Sequence, residues 1–504
     1  MSNLYTLFSN CFPKNRDEIF IEASDGQTLD YASVDSVSAL YGGVLVSAGV
    51  KPGDRVALQV EKSPQAVMLY LATLRVGAVF LPINTAYTAT EVEYFLNDCE
   101  PAVVICDPSV ASSIKPMAAS AGAGHVFTLG VDGKGSFIDS ASSATPMNGA
   151  VERSPNDLAA ILYTSGTTGR SKGAMLTIEN LWSNAITLRD YWGFDSNDVL
   201  LHALPIFHVH GLFVAIHCVL ASAAKMIFMP KYDAEKIIQL LPRATVMMGV
   251  PTFYTRLLAV HDLDADTCSN MRLFISGSAP LLTETWKEFK ERTGHAILER
   301  YGMTETGMNT SNPLSGERIP GSVGPALPGV SVRIVDETGK QVAIGEPGLL
   351  EVKGPNVFSG YWRMEEKTAE EFRDDGFFIT GDIATIDKNG YVSIVGRSKD
   401  MIITGGYNVY PKEIEEVIDA IAGVVESAVI GVPDDDLGER VTAVVKARPI
   451  APDSDKMIAH LKTELAGYKV PKNIFFVDDL PRNAMGKVQK AQLRKTYGSG
   501  SLYK

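Results

Sequence analysis

A chain of 504 residues is too long for one ordinary hydrophobic core, so two or more domains are expected. Its 45% hydrophobic and 21% charged residues are the balance of a soluble globular protein. The formal charge of -13, from 46 basic and 59 acidic residues, excludes the dense basic face of a broad nucleic-acid binder and leaves room only for a local basic patch around a phosphate-rich ligand.

The cysteines (Cys11, Cys99, Cys106, Cys218, Cys268) are dispersed, without a CxxC pair or zinc-type spacing, which suggests reduced thiols. The opening MSNLYTLFSNCFPKNRDEIF lacks the layout of a signal peptide, and the closing SLYK is not a peroxisomal address. Apolar runs such as AVMLYLATL fall short of the roughly 18 residues of a membrane span. The expected location is the cytoplasm, with no membrane or nucleic-acid partner.

In chain order, strand-like residues 55–60 precede a helix-like 64–75 and strand-like 78–82 and 102–106. This alternation predicts an α/β fold with parallel or mixed sheets, whose ligands bind beyond the carboxyl ends of strands. Four apolar runs lead into polar loops: 158–163 into Thr164-Ser165-Gly166-Thr167-Thr168-Gly169-Arg170-Ser171-Lys172-Gly173, 247–250 into Pro251-Thr252-Phe253-Tyr254, 273–275 into Ser276-Gly277-Ser278-Ala279-Pro280, and 297–298 into Glu299-Arg300-Tyr301-Gly302-Met303-Thr304-Glu305. From about residue 330 to 398 short strands and turns predict a small β-rich subdomain. The large N-terminal domain thus spans 1–398. A small mobile α+β domain, residues 399–504, follows a boundary at 396–400. There Ile414, Val417, Ile418 and Ile421 mark one apolar helix face.

The loop after residue 163 combines glycines that let backbone N–H groups turn toward an anion, hydroxyl donors, and the cation Lys172. Its spacing fails the GxxxxGK[ST] pattern of a P-loop. TSGTTGRSKGAM resembles instead the signature loop of the adenylate-forming enzymes: acyl-CoA synthetases, luciferases and peptide-synthetase adenylation domains. YGMTE (301–305), TGD (380–382), GRSKD (396–400), GGYN (405–408) and PRNAMGK (481–487) follow in that superfamily's order. HALPIFHVHGL, ISGSAPL and LERYGMTETGMNTSNP look most like malonyl-CoA synthetases.

The resemblance implies ATP, Mg²⁺ and coenzyme A as the small-molecule partners. It makes Lys487 the cation bridging the attacking carboxylate and the α-phosphate, inserted and withdrawn on a flexible Ala484-Met485-Gly486 stretch. Glu305 becomes the Mg²⁺ ligand, with Thr164 helping to place the metal. Thr304 donates to the α-phosphate, Tyr301 lies against adenine, and Asp382 with Arg397 takes the ribose. Residues 164–169 and Lys172, Gly277 to Ala279, and Glu299 to Met303 complete the nucleotide site. Lys399 is the hinge, and Gly405 and Gly406 line the pantetheine tunnel. A structural alternative for Thr304 and Glu305 is a helix start, where Thr caps and Glu favours the dipole.

A dicarboxylate keeps its second carboxylate ionised, and burying that charge unpaired costs several kcal/mol. A malonate site therefore needs a cation near the acyl pocket. Arg300 leads, since a guanidinium grips a carboxylate with two parallel bonds. Ser278, Arg256 and His208 are the other wall candidates, with His208 also a gate or orienting donor. Malonate or methylmalonate is the expected acid. Oxalate or another short acid, a carrier-protein thiol as acceptor, and a nucleotide-binding regulator without turnover are the alternatives.

Overall fold

The computed structural model describes residues 3–24, 26–164, 171–405, 407–434, 437–448, 453–483 and 486–498. Two large sheets dominate. One runs, edge to edge, Gly307–Ser311, Leu298–Met303, Leu273–Ser276, Val246–Gly249, Val199–His202, Lys225–Phe228, Ile19–Ala23 and Thr28–Asp30. Its inner pairs are parallel and its two outermost pairs antiparallel. The other runs His125–Thr128, Val103–Cys106, Arg55–Gln59, Val79–Pro82, Leu158–Thr164 and Lys172–Thr177, parallel except for the last pair. Parallel strands read as unbroken apolar runs because both faces are covered. Val246–Gly249 and Leu273–Ser276 are buried at every residue.

Helix Pro64–Val76 shows how sequence sets these elements. The Ser63 side chain accepts from the Ala66 N–H, Pro64 occupies the first turn, and Gly77 ends the helix at φ +77°. Every residue from Ala66 to Val76 is buried, as a helix apolar on all sides requires. His210–Ile216 forms a wholly buried π-helical turn that continues as helix His217–Ser222. Such turns are rare and cluster at functional sites.

Ser331–Val335, Gly348–Lys353, Phe378–Ile386 and Val392–Arg397 form an antiparallel sheet. Its Glu351 is fully buried and paired at 2.7 Å with both Arg333 and Arg373. The chain passes directly through a 3₁₀ turn, Ser398–Asp400, into a last sheet built on Val424–Asp434 and Gly438–Ala447. Helix Pro411–Asp419 buries Ile414 and Ile418 there, and Val417 and Ile421 are partly buried beside them.

Two local expectations need correction. Residues 299–303 are not a loop after a strand; they are the strand Leu298–Met303 itself. Thr304 and Glu305 do not start a helix but lie in the turn to the antiparallel strand Gly307–Ser311. The reason is close packing: a Cβ on Gly302 would lie 2.0 Å from the Gly307 carbonyl, and Gly307 has φ +56°. Asn184, from helix Ile178–Tyr191, fixes this hairpin by donating to Met308 O and accepting from Met308 N–H, both at 3.0 Å.

Asn184→Ala takes the side-chain acceptor from the buried Met308 N–H, while Asn356 still donates to Met308 O at 3.3 Å, and lowers stability by about 2 kcal/mol. Urea unfolding followed by tryptophan fluorescence should show a lower midpoint; an unchanged midpoint would mean the hairpin is held otherwise.

Candidate active site

The carboxyl ends of the parallel strands converge on one cleft. Arg300, on Leu298–Met303, is 3% exposed and lies against the strand end at Gly277. A Cβ on Gly277 would stand 2.5 Å from the guanidinium carbon, so only glycine leaves room for it. Among the described residues, Arg300 Nε and Nη2 have no hydrogen-bond partner. Burial lowers its pKa to about 9, which leaves it charged at neutral pH.

Neutral polar groups surround this cation. His208 Nδ1 accepts from the His210 N–H at 3.3 Å, leaving Nε2 to carry the ring proton. Burial, then the Lys487 and Arg300 charges, pushes the His208 pKa down to about 3. Burial and Arg300 likewise hold His210 well below the imidazole range. His210 Nδ1 lies 3.3 Å from Ser278 Oγ, and its buried Nε2 is without a partner among the described residues. Ser278 sits at φ +72°, a left-handed conformation that a non-glycine residue adopts at a cost.

The opposite side of the cleft carries carboxylates. Tyr301 donates its hydroxyl to Asp382 at 2.5 Å, and Arg397 pairs with Asp382 at 2.7 Å. Burial raises the Asp382 pKa, opposed by Arg397. Thr164 Oγ1 donates to Glu305 at 3.2 Å, and burial raises the Glu305 pKa too. Tyr361 Oη lies 3.2 Å from Glu305 and 2.7 Å from Glu371, whose other oxygen pairs with Lys172 at 2.8 Å. The Lys172 ammonium also stands 3.9 Å from the Tyr361 ring centroid. A buried carboxylate beside a hydroxyl suits a hard cation, and no cluster of three metal-ligating side chains exists among the described residues. A Mg²⁺ ion held by Glu305 and Thr164 would complete its shell with phosphate oxygens and water.

Lys487 reaches this cleft from the last sheet. Its side chain keeps open surface, yet enclosing protein and the Arg397 cation lower its pKa, while Asp382 and Glu305 act against the fall. The residue before it, Gly486, approaches Thr252 at the start of helix Pro251–Leu258; a Cβ there would lie 3.6 Å from Thr252 Oγ1. Lys412 crosses to the antiparallel sheet, donating to Ile394 O at 2.5 Å.

The structure therefore brings together Arg300, Ser278, His208, Tyr301, Asp382, Arg397, Thr164, Glu305 and Lys487. Glu299 is buried nearby, accepts from the Gly321 N–H at 3.3 Å, and has its pKa pushed up by burial to about 7. Gly302, Met303, Thr304 and Ala279 line the same strand ends. Arg256 is placed differently: it is exposed on helix Pro251–Leu258, 5.8 Å from the Tyr232 ring centroid. Lys399 is exposed in the 3₁₀ turn. Gly405 turns at φ +56° and donates to Leu437 O at 2.8 Å. Ser165, Gly166, Thr167, Thr168, Gly169 and Gly406 lie outside the described residues.

Sequence reasoning missed His210, Tyr361 and Glu371. The only local signal for His210 was its place in FHVHG, and Tyr361 with Glu371 meets Glu305 solely through the fold. It also missed a largely apolar cavity of about 220 Å³ beside Phe207, whose wall includes the buried Lys62. Lys62 Nζ lies 2.8 Å from His202 Nδ1 and donates to His202 O at 2.9 Å.

No helix among the described residues is long and apolar enough to cross a membrane. Residues 9–362 match the family model described as AMP-binding enzyme, and residues 413–487 match that described as AMP-binding enzyme C-terminal domain. The crystal structure of ATP-bound MatB from Rhodopseudomonas palustris superimposes with a TM-score of 0.97, 57% identity and coverage of 100% of both chains. A malonate–CoA ligase from Arabidopsis thaliana is 34% identical over 89% of this chain and 79% of its own length. A feruloyl-CoA synthase from an Amycolatopsis species is 36% identical over 94% and 95%. The cleft, the two-part match and these relatives together place the chain in the AMP-binding enzyme family.

Proposed function

We propose that this chain is an AMP-forming ligase that joins malonate to coenzyme A through malonyl-adenylate. The observation that carries the acid is Arg300. Its relatives include ligases named for malonate and for an aromatic monocarboxylate, so homology alone leaves the acid open. A buried guanidinium with free N–H groups is expensive in an apolar acyl slot and is offset by an anionic substrate end. Ser278, His208 and His210 add neutral donors without adding positive charge.

A carboxylate is a weak nucleophile and its hydroxide a poor leaving group. Attack of one malonate oxygen on the α-phosphorus of ATP forms the mixed anhydride and releases pyrophosphate. Negative charge gathers where the two anions meet, and Lys487 is the cation positioned to span them. Thr304 donates to the same phosphate. Asp382 accepts from the ribose hydroxyls, oriented by Tyr301 and Arg397. Glu305 and Thr164 would hold Mg²⁺, which would supply charge neutralisation at the phosphates. The coenzyme A thiol then attacks the activated carbonyl and AMP departs. For this step the C-terminal domain turns about Lys399, withdrawing Lys487 and presenting Gly405 and Gly406 to the pantetheine. Methylmalonate meets the same cation with one more methyl, a difference of about 1–3 kcal/mol. Oxalate is a carbon shorter.

Protein given ATP, Mg²⁺, malonate and coenzyme A should release AMP and pyrophosphate; release of ADP would overturn the adenylate route. Lys487→Ala should lose malonate-dependent ATP–pyrophosphate exchange by about 100-fold or more, while thioester formation from supplied malonyl-adenylate continues. Arg300→Leu should depress kcat/KM for malonate by about 100-fold and spare butyrate; equal loss on both acids would make Arg300 structural. An AMP-release panel of malonate, methylmalonate, oxalate, succinate, acetate and benzoate ranks the substrates.

A further inference from the structure

The residue that carries Lys487 into the cleft is itself held. Arg482 and Val488 pair as an antiparallel bridge. Between them the Asn483 N–H donates to Lys487 O at 2.9 Å, the Lys487 N–H donates to Asn483 Oδ1 at 3.0 Å, and the Gly486 N–H donates to Asn483 O at 2.9 Å. At the stem the Gln489 N–H donates to Pro481 O at 2.7 Å. Ala484 and Met485 lie outside the described residues.

Arg482 does more than close the stem. Its Nη1 donates to the carbonyl of Gly486, the residue before Lys487, at 2.6 Å. Its Nη2 pairs with Glu426 on strand Val424–Asp434. Both side chains of that pair are about three-quarters buried (25% and 26% exposed), so water and salt screen it less than a surface pair. One planar, forked cation thus ties the backbone beside the lysine to the sheet of the C-terminal domain. Neither contact touches the nucleotide or acyl side of the cleft.

We infer that Arg482, anchored by Glu426, is a positioning residue for Lys487, tying the backbone at Gly486, next to the lysine, to the sheet of the C-terminal domain. The ammonium is thereby held in line with the carboxylate–phosphate junction. This assignment rests on the proposed role of Lys487 in adenylation and adds what fixes that residue in place. Misplacing a bridging group by about 1 Å costs roughly 100-fold in rate, so the clamp is visible in kinetics.

The test compares the two half-reactions in full-length protein. Arg482→Gln should lower kcat of malonate-dependent ATP–pyrophosphate exchange by about 10- to 100-fold, with KM for ATP and malonate little changed. Thioester formation from supplied malonyl-adenylate, which does not use Lys487, should stay near the parent rate and also reports that the variant is folded. Arg482→Lys, which reaches one acceptor at a time, should fall between, and Glu426→Ala should reproduce part of the loss. Equal loss in both half-reactions, or unaltered exchange with only a lower melting temperature, would overturn the clamp. Lys487→Ala run alongside separates the failures: full exchange there would sink the role of Lys487 itself, whereas lost exchange there with normal exchange in Arg482→Gln would sink only the clamp.

Discussion

A guanidinium enclosed by protein without a counter-charge is the condition around which this site is arranged. Arg300 can occupy its place because Gly277 offers no side chain, and the neighbouring groups avoid competing with it for an anion. Two imidazoles stand close by, and burial next to a fixed cation keeps both of them neutral. The Tyr254 hydroxyl is turned away, donating to Ile275 O at 2.6 Å. The cage therefore holds one positive charge ringed by uncharged polar atoms, and the proposed malonate would bring the negative partner with it.

The cleft is divided by sign. Carboxylates gather on the nucleotide side, where Asp382 has Arg397 and Glu371 has Lys172. Lys487 enters from the other domain between the two halves, in electrostatic reach of Arg300 as well as Asp382 and Glu305. In the proposed reaction an acid and a nucleotide would meet there across a single ammonium. The polypeptide supplies few formal charges to the reaction, each fixed by packing, and electrostatic preorganisation of this kind acts without reorganisation at the moment of reaction.

Much of this was legible in the sequence because parallel strands advertise themselves as apolar runs ending in polar residues. The strands near 55–60, 78–82, 102–106, 158–163, 247–250 and 273–275 all appear within a residue or so of expectation. Residues 299–303 defeated that logic: Glu299, Arg300 and Tyr301 are polar or half-polar, yet Glu299 pairs with Ser276 on one edge, Arg300 and Tyr301 pair with Ser311 and Thr310 on the other, and all three are strand. Their polarity reflects the site, which overrides local preference. Thr304 and Glu305 look like a cap-and-dipole helix start, but the close approach of Gly302 to Gly307 dictates a hairpin. His210 was illegible because a histidine in an otherwise apolar helical run reads as core. Tyr361 and Glu371 reach Glu305 from more than fifty residues away, a meeting that no periodicity encodes.

Tyr361 has one further consequence. A phenol carries a single hydrogen, yet its oxygen stands between carboxylate oxygens of Glu371 and Glu305. The nearer one, on Glu371, takes the donation at 2.7 Å and is further served by Lys172. Glu305 accepts from the Thr164 hydroxyl and from its own backbone N–H, with a phenolic lone pair turned toward it. The arithmetic of hydrogens within the fold thus sets the two acids apart: Glu371 takes both the phenol and an ammonium, whereas Glu305 pairs with no cation among the described residues.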